Sequence, residues 1–352
     1  MVYALQWFHI APLMPAILSS FGVPTQYAGF LSTAFIVGAA STQMPAGLLG
    51  AKIGNARTAG VGLLLLSSTS LLLGTSDNFV ELLAFRALGG AGAGLFFSTA
   101  AAALAADGDK GLGRRLGAYN AMFNLGALAA MAWGFLGEAV GWRTAAALPS
   151  PFGIALSAQL LAVGGYRSRA AAGWRAVYLG LASAPFWGAA YAAQSLMPTW
   201  LQKYGGVGQG YSGLLTSASM LSGLTGGALG SLFDRTEDKR RYIVAVAAVG
   251  AAAFASTPFL PAFASAFAAF AFGFAYTLYI TAIYALGVRS GGASALGAIN
   301  FIDMSLGVWA SDAFSLTMSA WPPAPWLLLA SLAAVSGVAA APAGGNYIKT
   351  LK

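Results

Sequence analysis

Three residues carry ionisable groups in the middle of long apolar stretches. Arg86 stands in FVELLAFRALGGAGAGLFF, Asp303 in LGAINFIDMSLGVWA, and His9, the only histidine, in YALQWFHIAPLM. A guanidinium in such surroundings can hold an anion or a carboxylate, control a nearby proton site, or donate to backbone carbonyls. A carboxyl group there can carry a proton or make a hydrogen bond between helices. Imidazole titrates near neutrality, so His9 can exchange a proton, although a packed polar contact uses the same residue. Trp187, Tyr191 and Gln194 recur at i, i+4 and i+7, one face of a helix. Such a stripe serves either to line a cavity or to pack. Asp312, nearer the end of its apolar run, reads as solvated, and Asn120 and Asn300 as hydrogen bonds between helices. With no cysteine and a single histidine, thiolate or histidine metal sites and cysteine nucleophiles are excluded.

The elements that position these groups follow from composition. Of 352 residues only 8% are charged, while 58% are hydrophobic before 46 glycines are counted. A soluble domain carries about 25% charge, so this chain cannot cover a surface facing water and must be solvated by lipid. The net charge of +8 is scattered through short loops rather than gathered in a patch, which argues against nucleic acid.

Crossing the hydrocarbon layer takes about 20 apolar residues. Twelve such spans fit, at 3–20, 27–50, 57–75, 79–105, 115–136, 143–164, 174–202, 208–233, 241–259, 262–288, 293–318 and 325–343. The first has no Lys or Arg before it and is followed by a second apolar run, so it reads as a retained helix rather than a signal peptide. Between the ninth and tenth only Pro258 and Pro261 interrupt the apolar run. With the N-terminus inside, fifteen Lys and Arg fall in inner segments and only Arg143 and Lys203 outside. Basic residues mark the cytoplasmic side, so both termini are expected in the cytoplasm.

The halves also repeat. Leu13, Met14 and Pro15 return as Leu196, Met197 and Pro198, and Gly47 with Lys52 returns as Gly230 with Arg235, both after 183 residues; LGAYN at 116–120 returns as LGAIN at 296–300, after 180. Three matches near one displacement predict a duplication: an all-α integral membrane protein of twelve transmembrane helices in two pseudo-symmetric six-helix bundles, 1–164 and 174–352, joined by a cytoplasmic linker at 165–173. The glycine pairs Gly90/Gly94 and Gly223/Gly227 fit GxxxG, whose effect is close helix approach. They lie in apolar helices rather than after a strand, so no phosphate loop is implied, and the chain lacks the GxxxxGK[ST] pattern of an ATP-driven pump.

This arrangement resembles the major facilitator superfamily of secondary transporters. Gly47, Lys52 and Gly54 resemble that family's turn between spans 2 and 3, with Ala51 in place of its carboxylate, and Gly230, Asp234 and Arg235 keep the full pattern in the second half. Arg86 before a glycine run and the tripeptide Gly141, Trp142, Arg143 also match family motifs. Gly117 and Gly126 fit a motif of proton-driven drug exporters, but Ala130 and Met131 stand where its Gly-Pro pair would be. The resemblance implies a transporter rather than an enzyme, without a cofactor, working as a monomer in the plasma membrane by alternating access. Its cavity would be lined by the helices of His9, Arg86 and the span-7 stripe Trp187, Tyr191 and Gln194. The expectation is gradient-driven, proton-coupled movement of a small solute, with Arg86 tilting the guess towards an organic or inorganic anion, Asp303 or His9 carrying the proton, and the two turn motifs gating. Export of hydrophobic or cationic compounds through Asp303, and a membrane sensor that moves nothing, are the alternatives.

Overall fold

The computed structural model describes residues 1–105, 112–163, 173–229 and 231–345. Among them the chain is helical throughout, with no strand. α1 (Val2–Phe8) and α2 (Met14–Ser20) form the first span, and α3 (Ala28–Ile53), α4 (Asn55–Leu73) and α5 (Phe79–Ala105) the next three. α6 (Leu112–Met131) with α7 (Trp133–Val140) is the fifth, and α8 (Trp142–Ala147) with α9 (Ser150–Ala162) the sixth. In the second half come α10 (Trp174–Tyr204), α11 (Gln209–Leu229) with α12 (Ser231–Arg235), and α13 (Lys239–Ser256). α14 (Ser265–Gly307), α15 (Trp309–Met318) and α16 (Ala324–Ala340) complete the chain. Nine described stretches are long and apolar enough to cross a membrane. The other three expected spans are α10, α11 and the α14–α15 segment, helical as well but richer in polar residues. The expected linker lies almost wholly outside the described residues.

Proline sets the breaks. Pro12 has no N–H to give to the Phe8 carbonyl, and the first span passes through a 3-10 turn at Ala11–Leu13 before Pro15 restarts it inside the first turn of α2. The same logic divides α8 from α9 at Pro149, and α13 from α14 at Pro258 and Pro261. Only the boundary between the tenth and eleventh spans differs in kind from the expectation, because α14 carries the tenth span and opens the eleventh. The Tyr284 hydroxyl donates to Asn300 Oδ1 at 2.5 Å, although sixteen residues of straight helix would separate them by about 24 Å. The element therefore turns back on itself between them, and Asn300 ties the two spans together as expected.

Glycines let helices meet at backbone distance. A Cβ on Gly90 would fall on the Phe35 carbonyl oxygen, one on Gly94 on that of Ala39, and one on Gly38 on that of Ala87. α3 and α5 are thus locked face to face, the packing role expected of the first GxxxG pair.

The halves meet at the end holding the α2–α3, α7–α8 and α10–α11 turns. Gln202 Nε2 donates to Pro12 O at 3.3 Å and Gln209 Nε2 to Gly134 O at 3.2 Å, and the Phe135 and Tyr211 rings meet edge to face. Deeper in, Thr33 Oγ1 reaches Val308 O and Gln43 Nε2 reaches Met304 Sδ, both at 3.4 Å.

Candidate functional site

Arg86 sits on α5 with 3% of its surface exposed. Its only hydrogen bond among the described residues runs from Nε to Leu31 O at 3.1 Å, and its guanidinium lies 4.3 Å from the centre of the Phe35 ring. A charge at membrane depth costs at least about 2.5 to 3.5 kcal/mol on insertion scales. A hydrogen bond from a charged donor is worth about 1.5 to 3, and a desolvated cation–π contact about 2. Leu31 and Phe35 together offset the cost, so Arg86 stays in place without a carboxylate partner and its remaining N–H groups are left for other work.

Phe35, Trp7 and Tyr191 form a chain of ring contacts that leads from Arg86 to the seam between the halves. His9 on the first span and Tyr191 on α10 both lie within electrostatic reach of Arg86. Tyr191 is walled by Trp7 at 6.3 Å and Phe8 at 6.1 Å from the other half and stacks on Trp187 at 5.4 Å. Phe123 on α6 closes against both Trp7 and Phe8. The Tyr191 hydroxyl faces Ser195, Trp7 and Ser32, yet Trp7 Nε1 and Ser32 Oγ are buried and complete no hydrogen bond among the described residues. Trp187 and Tyr191 therefore belong to this seam. Gln194, half-buried, lies within about 20° of Trp187 around the helix.

His9 is fully buried, with Nδ1 3.0 Å from Gln6 O and Nε2 3.1 Å from Ala146 O. A neutral imidazole has one N–H and can serve only one of these acceptors; a protonated ring serves both. Beside it Gln6 Nε2 donates to Pro149 O while Ser67 Oγ donates to Gln6 Oε1, binding spans 1, 3 and 6.

Asp303 is elsewhere. Fully buried in the second half, its Oδ1 accepts from Ser183 Oγ at 2.6 Å, and its Oδ2 has no partner among the described residues. Its electrostatic neighbours are Tyr276, Tyr279 and Tyr284, not Arg86 or His9. Asp312 is not simply solvated: it is half-buried against Thr33 of the other half, and its Oδ1 is buried without a partner. At its position on α15 the facing helix α3 covers it, which hydropathy along one helix does not reveal.

The turn motifs lie at the end of the molecule away from these contacts. Gly54 takes φ +97°, a conformation that favours glycine, and separates α3 from α4. Gly47 and Lys52 are exposed, and a Cβ on Gly47 would meet nothing. Asp234 and Arg235 end the short α12, where Lys239 Nζ caps the Phe233 and Thr236 carbonyls. Gly230 lies outside the described residues. In the tripeptide after span 5, Gly141 has φ +79° and Arg143 Nη1 donates to Gly74 O and Ser76 O, so this motif seals the end of α4.

Sequence reading missed Trp7, Ser32, Phe35 and Gln43. A signal existed: Ser32, Phe35 and Gln43 share one face of an apolar helix at i, i+3 and i+11. Gln43 Oε1 accepts from Ser98 Oγ at 2.6 Å while its Nε2 crosses to Met304, making it a polar link between halves.

The profile of the Major Facilitator Superfamily matches residues 1–311. The chain belongs to this superfamily. It is therefore an integral membrane transporter rather than an enzyme. A solved structure described as a bacterial homologue of the human lysosomal transporter Spinster, in an inward-facing and occupied conformation, superposes with a TM-score of 0.72 over 99% of this chain and 94% of the other, at 15% identity. At that identity the likeness carries the major facilitator fold alone. A search of curated sequences finds no match.

Proposed function

We propose that this major facilitator transporter moves a small organic anion through the seam between its halves, coupled to protons. The carrying observation is the group at that seam: a buried arginine with N–H groups to spare, beside Tyr191, Trp187 and unpartnered Trp7 and Ser32. Arg86, Trp187, Tyr191 and Gln194 bind the solute. Asp303, with one buried oxygen unpartnered among the described residues, is the first choice for the proton, and His9, between two acceptors, the second. Bundles 1–164 and 174–352 rock about the seam, with the turns of Gly47, Lys52 and Gly54, and of Gly230, Asp234 and Arg235, meeting and parting as the inner gate. The protein acts as a monomer in the plasma membrane with both termini in the cytoplasm. Contacts at the α7–α11 end favour an inward-facing state.

A second reading has its own support. Asp303 lies within electrostatic reach of three tyrosines, and a buried carboxylate with aromatic residues near it suits an organic cation. Uptake and counterflow into vesicles holding the purified protein, with small organic anions and cations as labelled probes, decide between the two. Anion uptake driven by an inward proton gradient, and anion counterflow without one, are expected; cation flux alone would give the site to Asp303.

A further inference from the structure

The seam has too many donors. Trp7 Nε1 can only donate, and so can the guanidinium of Arg86. Neither the Trp7 N–H nor the Ser32 hydroxyl completes a hydrogen bond, although Trp7 is 5% and Ser32 0% exposed and both face Tyr191. A buried polar group without a partner costs about 1 to 3 kcal/mol, and two of them converging from different helices on one tyrosine require a reason. Leu31 O already accepts from Arg86 Nε. The Tyr191 oxygen is the acceptor these donors face, and its two lone pairs cannot serve Trp7, Ser32, Ser195 and the spare N–H groups of Arg86 together; a further acceptor must come from outside the chain.

The walls say what is attached to it. Rings of Phe8, Phe123, Trp187 and Tyr191 pack on one another beside the donors, with neighbouring centroids 5.4 to 6.3 Å apart, so what enters here meets aromatic surface. Such faces take a flat apolar body better than a hydrated one. Among the described residues Arg86 is the one guanidinium in reach, and it offsets a single negative charge.

The geometry points to a monocarboxylate with a flat, apolar body as the solute class, its carboxylate held by the free N–H groups of Arg86, Trp7 Nε1–H, Ser32 Oγ–H and the Tyr191 hydroxyl. The inference rests on the transport reading for its meaning but is tested by binding alone. Its two new residues are Trp7 and Ser32, on spans 1 and 2, so the carboxylate sits on the first-half side of the seam and the body faces Trp187 on the second.

Benzoate, benzamide, benzylamine and phenyl phosphate are titrated against the purified full chain in detergent, by equilibrium binding and by thermal stabilisation. Benzoate is expected to bind, with benzamide and benzylamine at least about tenfold weaker, because a neutral or cationic head loses the charged acceptor. Trp7→Phe keeps a ring and removes the donor, and Ser32→Ala removes a hydroxyl with little change of volume. Each is expected to weaken benzoate about tenfold with the melting temperature of the empty protein unchanged or raised, since an unpaired group has been deleted. Equal binding of benzamide, preference for benzylamine or phenyl phosphate, no binding of benzoate, or undiminished binding by both variants would each overturn the inference. Benzoate binding without flux in vesicles would uphold it and sink the transport reading; flux of another solute without benzoate binding would do the reverse.

Discussion

The Glu138 carboxylate accepts the backbone N–H of Gly210 at 2.9 Å and lies against Gly208, so a side chain on α7 of the first half caps the first turn of α11 in the second. An anion at a helix N-terminus is worth about 0.3 to 1 kcal/mol where solvent reaches it, and Glu138 is exposed. The contact therefore biases the closure of this end without locking it. Glu138→Ala is expected to open this end up to about fivefold more often. The chain has no cysteine of its own, so a Ser311→Cys reporter, buried beneath Gly29, would read this as faster labelling by a membrane-impermeant thiol reagent. Equal labelling in the two backgrounds would show that Glu138 does not hold the end shut.

Gly90→Ala should lower the melting temperature, because the new methyl meets the Phe35 backbone, which cannot step aside as a side chain could. Overpacking of this kind costs about 1 to 3 kcal/mol. Gly47→Ala, at a position where a Cβ meets nothing, should leave it unchanged or slightly raised. Thermal melts of the two variants test this, and equal behaviour would contradict the close approach of α3 and α5.

Arg86→Lys keeps the charge but cannot bond Leu31 O through Nε while presenting further N–H groups to Tyr191. Both Arg86→Lys and Arg86→Ala are expected to weaken solute binding tenfold or more, about 1.4 kcal/mol. Normal affinity and flux in both would make Arg86 a donor to the backbone and nothing else.

Asp303→Asn retains an oxygen to accept from Ser183, so the protein should fold. It should lose accumulation driven by a proton gradient while keeping solute exchange across vesicles, because exchange needs no net proton movement. His9→Gln should impair coupling less, while costing stability through the lost imidazole hydrogen bond to Gln6 O or Ala146 O. If Asp303→Asn vesicles still concentrate solute in response to an imposed pH gradient, the carboxyl is a packing group and His9 or another ion carries the coupling.

A reporter active only outside the cytoplasm, fused after Lys352, should give no signal, as the fifteen-to-two distribution of basic residues requires. A strong signal would invert the topology.

Membrane placement, the span positions and the family were legible in the sequence because each depends on properties added up along the chain: apolar run length, loop charge, a repeat spacing. Arg86, Asp303 and His9 stood out for the same reason, a charge or an imidazole being conspicuous in lipid. What the sequence left open was direction around each helix. In a soluble helix the polar face points out and the apolar face in, but here lipid and protein interior are both apolar, and a helix hydrophobic all round does not announce which side meets its neighbours. Only the packed structure decided that Trp7 and Ser32 turn to Tyr191, that Asp312 is covered by Thr33, and that Asp303 lies with Ser183 rather than with Arg86. Those meetings depend on the rotation of helices fixed by glycine contacts such as Gly90 on Phe35, between residues far apart in the chain, and no window of sequence contains them.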